Sequence, residues 1–279
     1  MKQLYYTHHF ALQNLLILFL LISWLASCSQ PTLVTPKRVV SLVPSITEII
    51  FALGCEANLV GNTVYCDYPP EAQKIYKVGD FSNPSLEKIL ALKPDIVFAT
   101  MPEQKIIIER LKELKIRVFI SQPITIDSMF QEIRTIGKIL GRPERGESLA
   151  TTLAKACPAG LGDIPVYLEI AQTPLMTVGG SSFINDVISR AGGKNIFADV
   201  SQEYPIIDQE EVIKRNPAVI FILHPQAKKE EVKKRLGWQE IAAIKNNKVY
   251  DDVNPDLIFR PGPRIVQGIS ALAMRIKNN

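Results

Sequence analysis

Reactive side chains are scarce in this 279-residue chain. His8 and His9 lie within the first ten residues, which leaves His224 as the one histidine of the body, so a His-based acid–base pair or a His-rich metal cage is close to excluded. The four cysteines, Cys28, Cys55, Cys66 and Cys157, lack the CxxC spacing of a zinc site. No GxGxxG or Walker loop offers backbone amides to a phosphate, and no GxSxG elbow presents a nucleophilic serine. Carboxylates are plentiful, but no pair of them comes with a motif attached. Neither an enzyme nor a resident metal or cofactor is expected.

Charge excludes a further class. Lys and Arg total 32 against 28 Asp and Glu, a net +4 that gives no electrostatic footprint for nucleic acid. The length suits two lobes rather than one compact domain.

The stretch Leu15–Trp24 (LLILFLLISW) is too short to span a bilayer, which takes about 20 apolar residues, and matches the apolar core of a secretory signal. Leu25-Ala26-Ser27-Cys28 follows and resembles the lipobox of bacterial lipoproteins. That resemblance implies cleavage before Cys28 and lipidation of its thiol, with 1–27 a signal peptide and 28–36 a lipidated tether. A buried N-terminal helix with a chance cysteine is the alternative. The body is expected outside the cytoplasm, in the periplasm or on the outer face of the cytoplasmic membrane, held there by lipid. Cys55 and Cys66, eleven apart, either close a small disulfide loop or stay as free thiols; Cys157 is unpaired in both cases.

The elements that must position any site alternate in type. Strand-like runs at 38–43, 95–99, 117–120, 166–170, 218–223 and 248–250 are interleaved with helical patterns at 45–53, 85–92, 107–114, 183–191, 239–245 and 264–276. Ser45 and Glu48 have the spacing of a capping box. Asp127–Leu140 is an amphipathic helix interrupted by Gly141-Arg142-Pro143, and Glu147–Ala156 is expected to continue it. This alternation predicts parallel α/β units: an N-terminal lobe over 37–125, a connecting helix over 126–160 and a C-terminal lobe over 161–279.

An internal echo supports two lobes. LEKILALKPDIVFA (Leu86–Ala99) aligns with QEEVIKRNPAVIFI (Gln209–Ile222), matching Glu87 to Glu210 and Pro94 to Pro217 at one 123-residue offset. Ser85 and Asp208, at the same offset, suit helix N-caps. A lipid-tethered, two-lobed α/β body without a catalytic constellation suggests a binding protein, its ligand held between the lobes at the loops after the strand ends.

Four stretches carry a family resemblance: Pro36–Gly54, Val60–Ala72 (VGNTVYCDYPPEA), Val78–Val97 and Asn254–Arg264 (NPDLIFRPGPR). They are similar to the substrate-binding proteins of ABC importers for cobalamin and iron complexes, and DYPPEAQKI and LEKILALKPDIV look most like the cobalamin-binding members. The resemblance covers essentially the whole chain after Cys28. It implies two Rossmann-like lobes joined by a single connecting α-helix, a corrinoid in the cleft and no catalysis. It also implies a monomeric body, and as partner a permease dimer with its ATPase subunits. Carried over by position, Tyr65, Phe81 and Tyr204 become ligand-contacting aromatics, the last two where the cobalamin binders have Trp. Asp256, Leu257, Ile258, Phe259 and Arg260 fall on a further contact loop. Glu87 and Glu210 fall where one carboxylate per lobe meets arginines of the permease.

Simpler readings remain beside these. Tyr65, Phe81 and Tyr204 can be ordinary half-buried aromatics, and a Glu in a first helical turn complements the helix dipole by a few tenths to about 1 kcal/mol. The charge run Lys228–Arg235 reads as a solvated helix face. The function expected is capture of cobalamin or a related corrinoid for import. A ferric siderophore or haem binder of the same architecture is the alternative, and a secreted hydrolase or structural surface lipoprotein is remote.

Overall fold

The computed structural model describes residues 35–277. The expected signal 1–27, Cys28 and most of the tether lie outside the described residues. Elements are numbered in chain order. In the first lobe β1 (Val39–Ser41), β2 (Leu59–Asn62), β3 (Ile96–Thr100) and β4 (Val118–Ser121) form an all-parallel sheet in the order β2-β1-β3-β4. Parallel neighbours need crossovers, and α1 (Pro44–Ala52), α2 (Leu86–Ala91) and α3 (Lys105–Glu113) lie within them.

Two helices follow, α4 (Ile126–Ile139) and α5 (Pro143–Ala156). The second sheet holds β5 (Gly160–Gln172), β6 (Leu175–Thr177), β7 (Ala191–Asn195), β8 (Val219–Ile222) and β9 (Val249–Tyr250). It is parallel apart from β6, which returns antiparallel along β5. Its helices are α6 (Phe183–Arg190), α7 (Gln209–Arg215), α8 (Lys229–Val232), α9 (Ala242–Lys245), α10 (Asp256–Phe259) and α11 (Ile265–Lys277). Among the described residues no helix is long and apolar enough to cross a membrane.

The two-residue period of the strands divides the core. Ile96 and Phe98 of β3 point to one face and Val97 and Ala99 to the other; Val166 and Leu168 of β5 likewise oppose Tyr167, and Val219 and Phe221 of β8 oppose Ile220 and Ile222. The outward sets form two satellite clusters, one per lobe. The inward sets of both sheets join a single cluster filled by α1, α4, α6 and α11, through residues such as Ile49, Ile133, Val187 and Ile269. Both lobes therefore share one continuous apolar core.

The single connecting helix expected over 126–160 is a pair. Gly141 adopts φ +70, which ends α4, and Pro143 starts α5 at a position where its missing N–H costs nothing. The two helices cross at Gly137 and Gly146, where a Cβ on Gly137 would stand 2.9 Å from the Gly146 Cα. At its start α4 is capped by Thr125 and Ser128 and tied to the second lobe: the Ile126 N–H donates to Asp186 at 2.7 Å, and Asp127 pairs with Arg190 at 2.6 Å.

The echo between the lobes extends to backbone geometry. α2 and α7 stop at Lys93 and Asn216, each with φ +45, each directly before the matched prolines. The Ser45–Glu48 capping box does not form. Val43 is the N-cap of α1, Pro44 occupies the first turn, and Glu48 turns to a partner in the other lobe.

Candidate ligand-binding cleft

The carboxyl ends of parallel strands converge on the gap between the lobes, and the loops that follow them line one cleft of about 490 Å³. Six of the eight expected ligand residues meet there: Tyr65 and Phe81 from the first lobe, and Tyr204, Asp256, Phe259 and Arg260 from the second. Leu257 and Ile258 do not. Residues 256–259 form a helical turn, so positions 256, 259 and 260 share the cleft face while Ile258 is buried in the core and the Leu257 carbonyl abuts Gly268.

Two polar side chains that sequence patterns did not single out hold the first-lobe loops. Gln104, 1% exposed, donates to the carbonyls of Leu42 and Phe81 at 3.0 and 2.7 Å and accepts from the Thr100 N–H at 3.0 Å. It ties the loops after β1 and β3 to the loop of Phe81. The Lys77 ammonium lies among four oxygens, Asn62 Oδ1 and the carbonyls of Thr63, Cys66 and Ala72, at 2.8 to 3.2 Å. It pins the segment that presents Tyr65, and burial pulls its pKa down.

Charge concentrates where the Arg260-Pro261-Gly262-Pro263-Arg264 loop meets the first lobe. Arg264 makes two hydrogen bonds to the buried Glu48 carboxylate and stacks over the Tyr68 ring, 3.8 Å from its centroid. Arg260 reaches Asp67 at 2.6 Å, Asp256 at 2.9 Å and Glu48 at 3.5 Å. Burial opposes the charge on Asp67, but the hydrogen bond and charge of Arg260 outweigh it and hold that carboxyl below its ordinary range. These arginines bridge the lobes at one edge of the cleft.

The model of the periplasmic binding protein family matches residues 39–255. The chain is a member of that family. It is 34% identical over 255 residues to an ABC transporter substrate-binding lipoprotein of Bacillus subtilis, covering 86% of this chain and 80% of that one. It is 30% identical over 269 residues to a vitamin B12-binding protein of Photorhabdus laumondii, covering 93% and 94%. Among solved structures, the periplasmic haem-binding protein of Roseiflexus sp. RS-1 superposes with a TM-score of 0.74 at 27% identity, covering 86% of this chain and 97% of that one. Periplasmic binding proteins of this type are substrate-binding components of ABC importers, not enzymes, and act outside the cytoplasm with a membrane permease.

Elsewhere in this periplasmic binding protein, Glu87 and Glu210 are exposed in the first turns of α2 and α7, at matching places in the two lobes. Ser85 caps α2 by accepting from the Lys88 N–H, whereas the Asp208 side chain makes no cap bond. Cys55 and Cys66 are free thiols, so the loop-closing pair is not formed. They sit at opposite ends of β2, Cys55 beside the Leu53 carbonyl and Cys66 beside Thr63 and the Ser41 carbonyl, and four residues of strand, roughly 13 Å, lie between them. Burial pushes the thiols of Cys55 and Cys157 up.

The charge run 228–235 is only partly a solvated face. Arg235 turns inward to Glu169 on β5, with hydrogen bonds of 2.6 and 2.8 Å to a fully buried carboxylate. His224 completes that cluster. Its Nδ1 accepts from the Gln226 N–H, which leaves Nε2 to donate to Glu169 at 3.0 Å, so this histidine is a structural tie. Among the described residues no three His, Cys, Asp or Glu side chains converge as a metal site.

Proposed function

We propose that this chain is a lipid-anchored binding protein that captures cobalamin or a related corrinoid between its lobes and delivers it to a permease dimer through Glu87 and Glu210. The observation that carries the reading is the meeting of Tyr65 and Phe81 with Tyr204 and Phe259, from opposite lobes, in one cleft. A corrin is broad, flat and partly apolar, with a fringe of amides. Aromatic walls supply contact area at low entropic cost, and tyrosine hydroxyls bond amide groups. The similarity to a vitamin B12-binding protein over nearly the whole chain supports the same ligand class. The lipobox at Leu25–Cys28 and the lipoprotein relative support the anchor.

Calorimetric titration of the soluble body with cyanocobalamin, haemin and ferric siderophores tests the ligand. Cyanocobalamin is expected to bind at micromolar concentration or below, and Tyr65→Ala with Tyr204→Ala to weaken it at least tenfold. Absence of cyanocobalamin binding overturns the corrinoid reading, and selective binding of haemin replaces it. Metabolic labelling with a fatty acid tests the anchor, since Cys28→Ser should abolish incorporation.

A further inference from the structure

Glu103, in the loop after β3, and Glu203, beside Tyr204, line the cleft from opposite lobes. Among the described residues neither carboxylate has a side-chain ion pair or hydrogen bond. The third carboxylate of the lining, Asp256, is bonded to Arg260, the one cation of the described lining, and Arg260 is further engaged by Asp67 and Glu48. A ligand entering this cleft therefore meets two unpaired negative charges and no unpaired positive one. The remaining polar groups of the lining are uncharged. Among them is Ser45 in the first turn of α1, 1% exposed, with a hydroxyl that has no partner and stays available to an uncharged acceptor such as an amide carbonyl.

We propose that Glu103 and Glu203 determine the charge selectivity of the cleft, rejecting anionic complexes and admitting flat ligands with a neutral or cationic, amide-bearing rim. This rests on reading the cleft as the ligand site. The two carboxylates bear on one place: packing around the Tyr204 phenol raises its pKa, and the charges of Glu203 and Glu103 both push it the same way. A haem brings two propionates and would be repelled there, whereas cyanocobalamin is neutral overall. Repulsion between partly exposed charges a few ångströms apart amounts to about a tenfold loss of affinity and weakens with salt.

The test compares the wild type with Glu103→Gln/Glu203→Gln, two exposed substitutions that break no side-chain hydrogen bond or ion pair, in titrations with haemin at low salt and at about 0.5 M salt. The expected result is haemin affinity about tenfold higher in the double variant, with a gain that shrinks at high salt. Equal haemin affinity in both proteins, or binding to neither, overturns the proposal. A gain that salt leaves untouched overturns it too, because the effect would then be one of shape. Cyanocobalamin titrated in parallel keeps the two readings apart. Its failure to bind the wild type overturns the corrinoid reading, while the haemin comparison still decides the role of the carboxylates.

Discussion

Arg264 and Glu48 stand 216 residues apart in the chain and share two hydrogen bonds, Nε to Oε2 at 2.8 Å and Nη2 to Oε1 at 2.6 Å. The pair joins the second lobe to the first helix of the first lobe beside the ligand cleft. Desolvating two charges consumes much of what their attraction returns, so the intact pair adds little net stability. Removing one partner strands the other.

Arg264→Met is accordingly expected to cost about 3 kcal/mol, since Glu48 would stay buried with only the more distant Arg260 for company. Adding Glu48→Gln should restore a large part of the loss. Urea unfolding of the three proteins measures both, and a double variant no more stable than the single one would contradict the account.

Glu132 on α4 accepts a 2.6 Å hydrogen bond from Ser121 at the cleft, and burial raises its pKa despite that bond. A raised folded pKa penalises the ionised form. The contribution of this group is thus fully present below its unfolded pKa of about 4.3 and is lost as pH rises through the folded value. Glu132→Gln keeps an acceptor for Ser121 and removes the charge. Its Tm should match the wild type near pH 4 and exceed it at neutral pH; a pH-independent difference would refute this.

Gln104→Leu leaves the buried Leu42 carbonyl, the half-buried Phe81 carbonyl and the Thr100 N–H without their partner. It should lower stability by about 2–3 kcal/mol and weaken ligand binding through the displaced Phe81 loop. Lys77→Met, which empties the oxygen cage under the Tyr65 segment, should act in the same direction. Denaturation and titration together check these effects, and full ligand affinity in both variants would show that the loops hold without their pins.

Reversing Glu87 and Glu210 together to Lys should abolish uptake in cells and leave ligand affinity unchanged, because both side chains are exposed on the first turns of their helices, outside the cleft lining. Normal uptake by the double variant would remove the docking role.

Much of the architecture was readable from local pattern. The continuous apolar runs of Ile96–Ala99 and Val219–Ile222 assign both strands to buried parallel sheets, and the 123-residue echo marks the two lobes down to the left-handed residues Lys93 and Asn216. The short strands β2, β6 and β7 were missed, the last because Gly192 and Gly193 read as a helix stop rather than as strand. Tyr65, Phe81 and Tyr204 could be named from motif resemblance, and the cleft brings them together.

What tertiary structure alone decided is which charge meets which. Glu48 has the spacing of a cap but serves Arg264 from the other lobe, and Arg235 sits in a charge run but pairs with the buried Glu169. Gln104 and Lys77 belong to no motif because most of their partners are backbone atoms, which any residue type supplies. Periodicity, capping and repeats act over a few residues and are therefore written in the sequence. The pairing of polar groups depends on which chain segments the packed core brings within 3 Å, and that distance is set only once both lobes have closed on their common core.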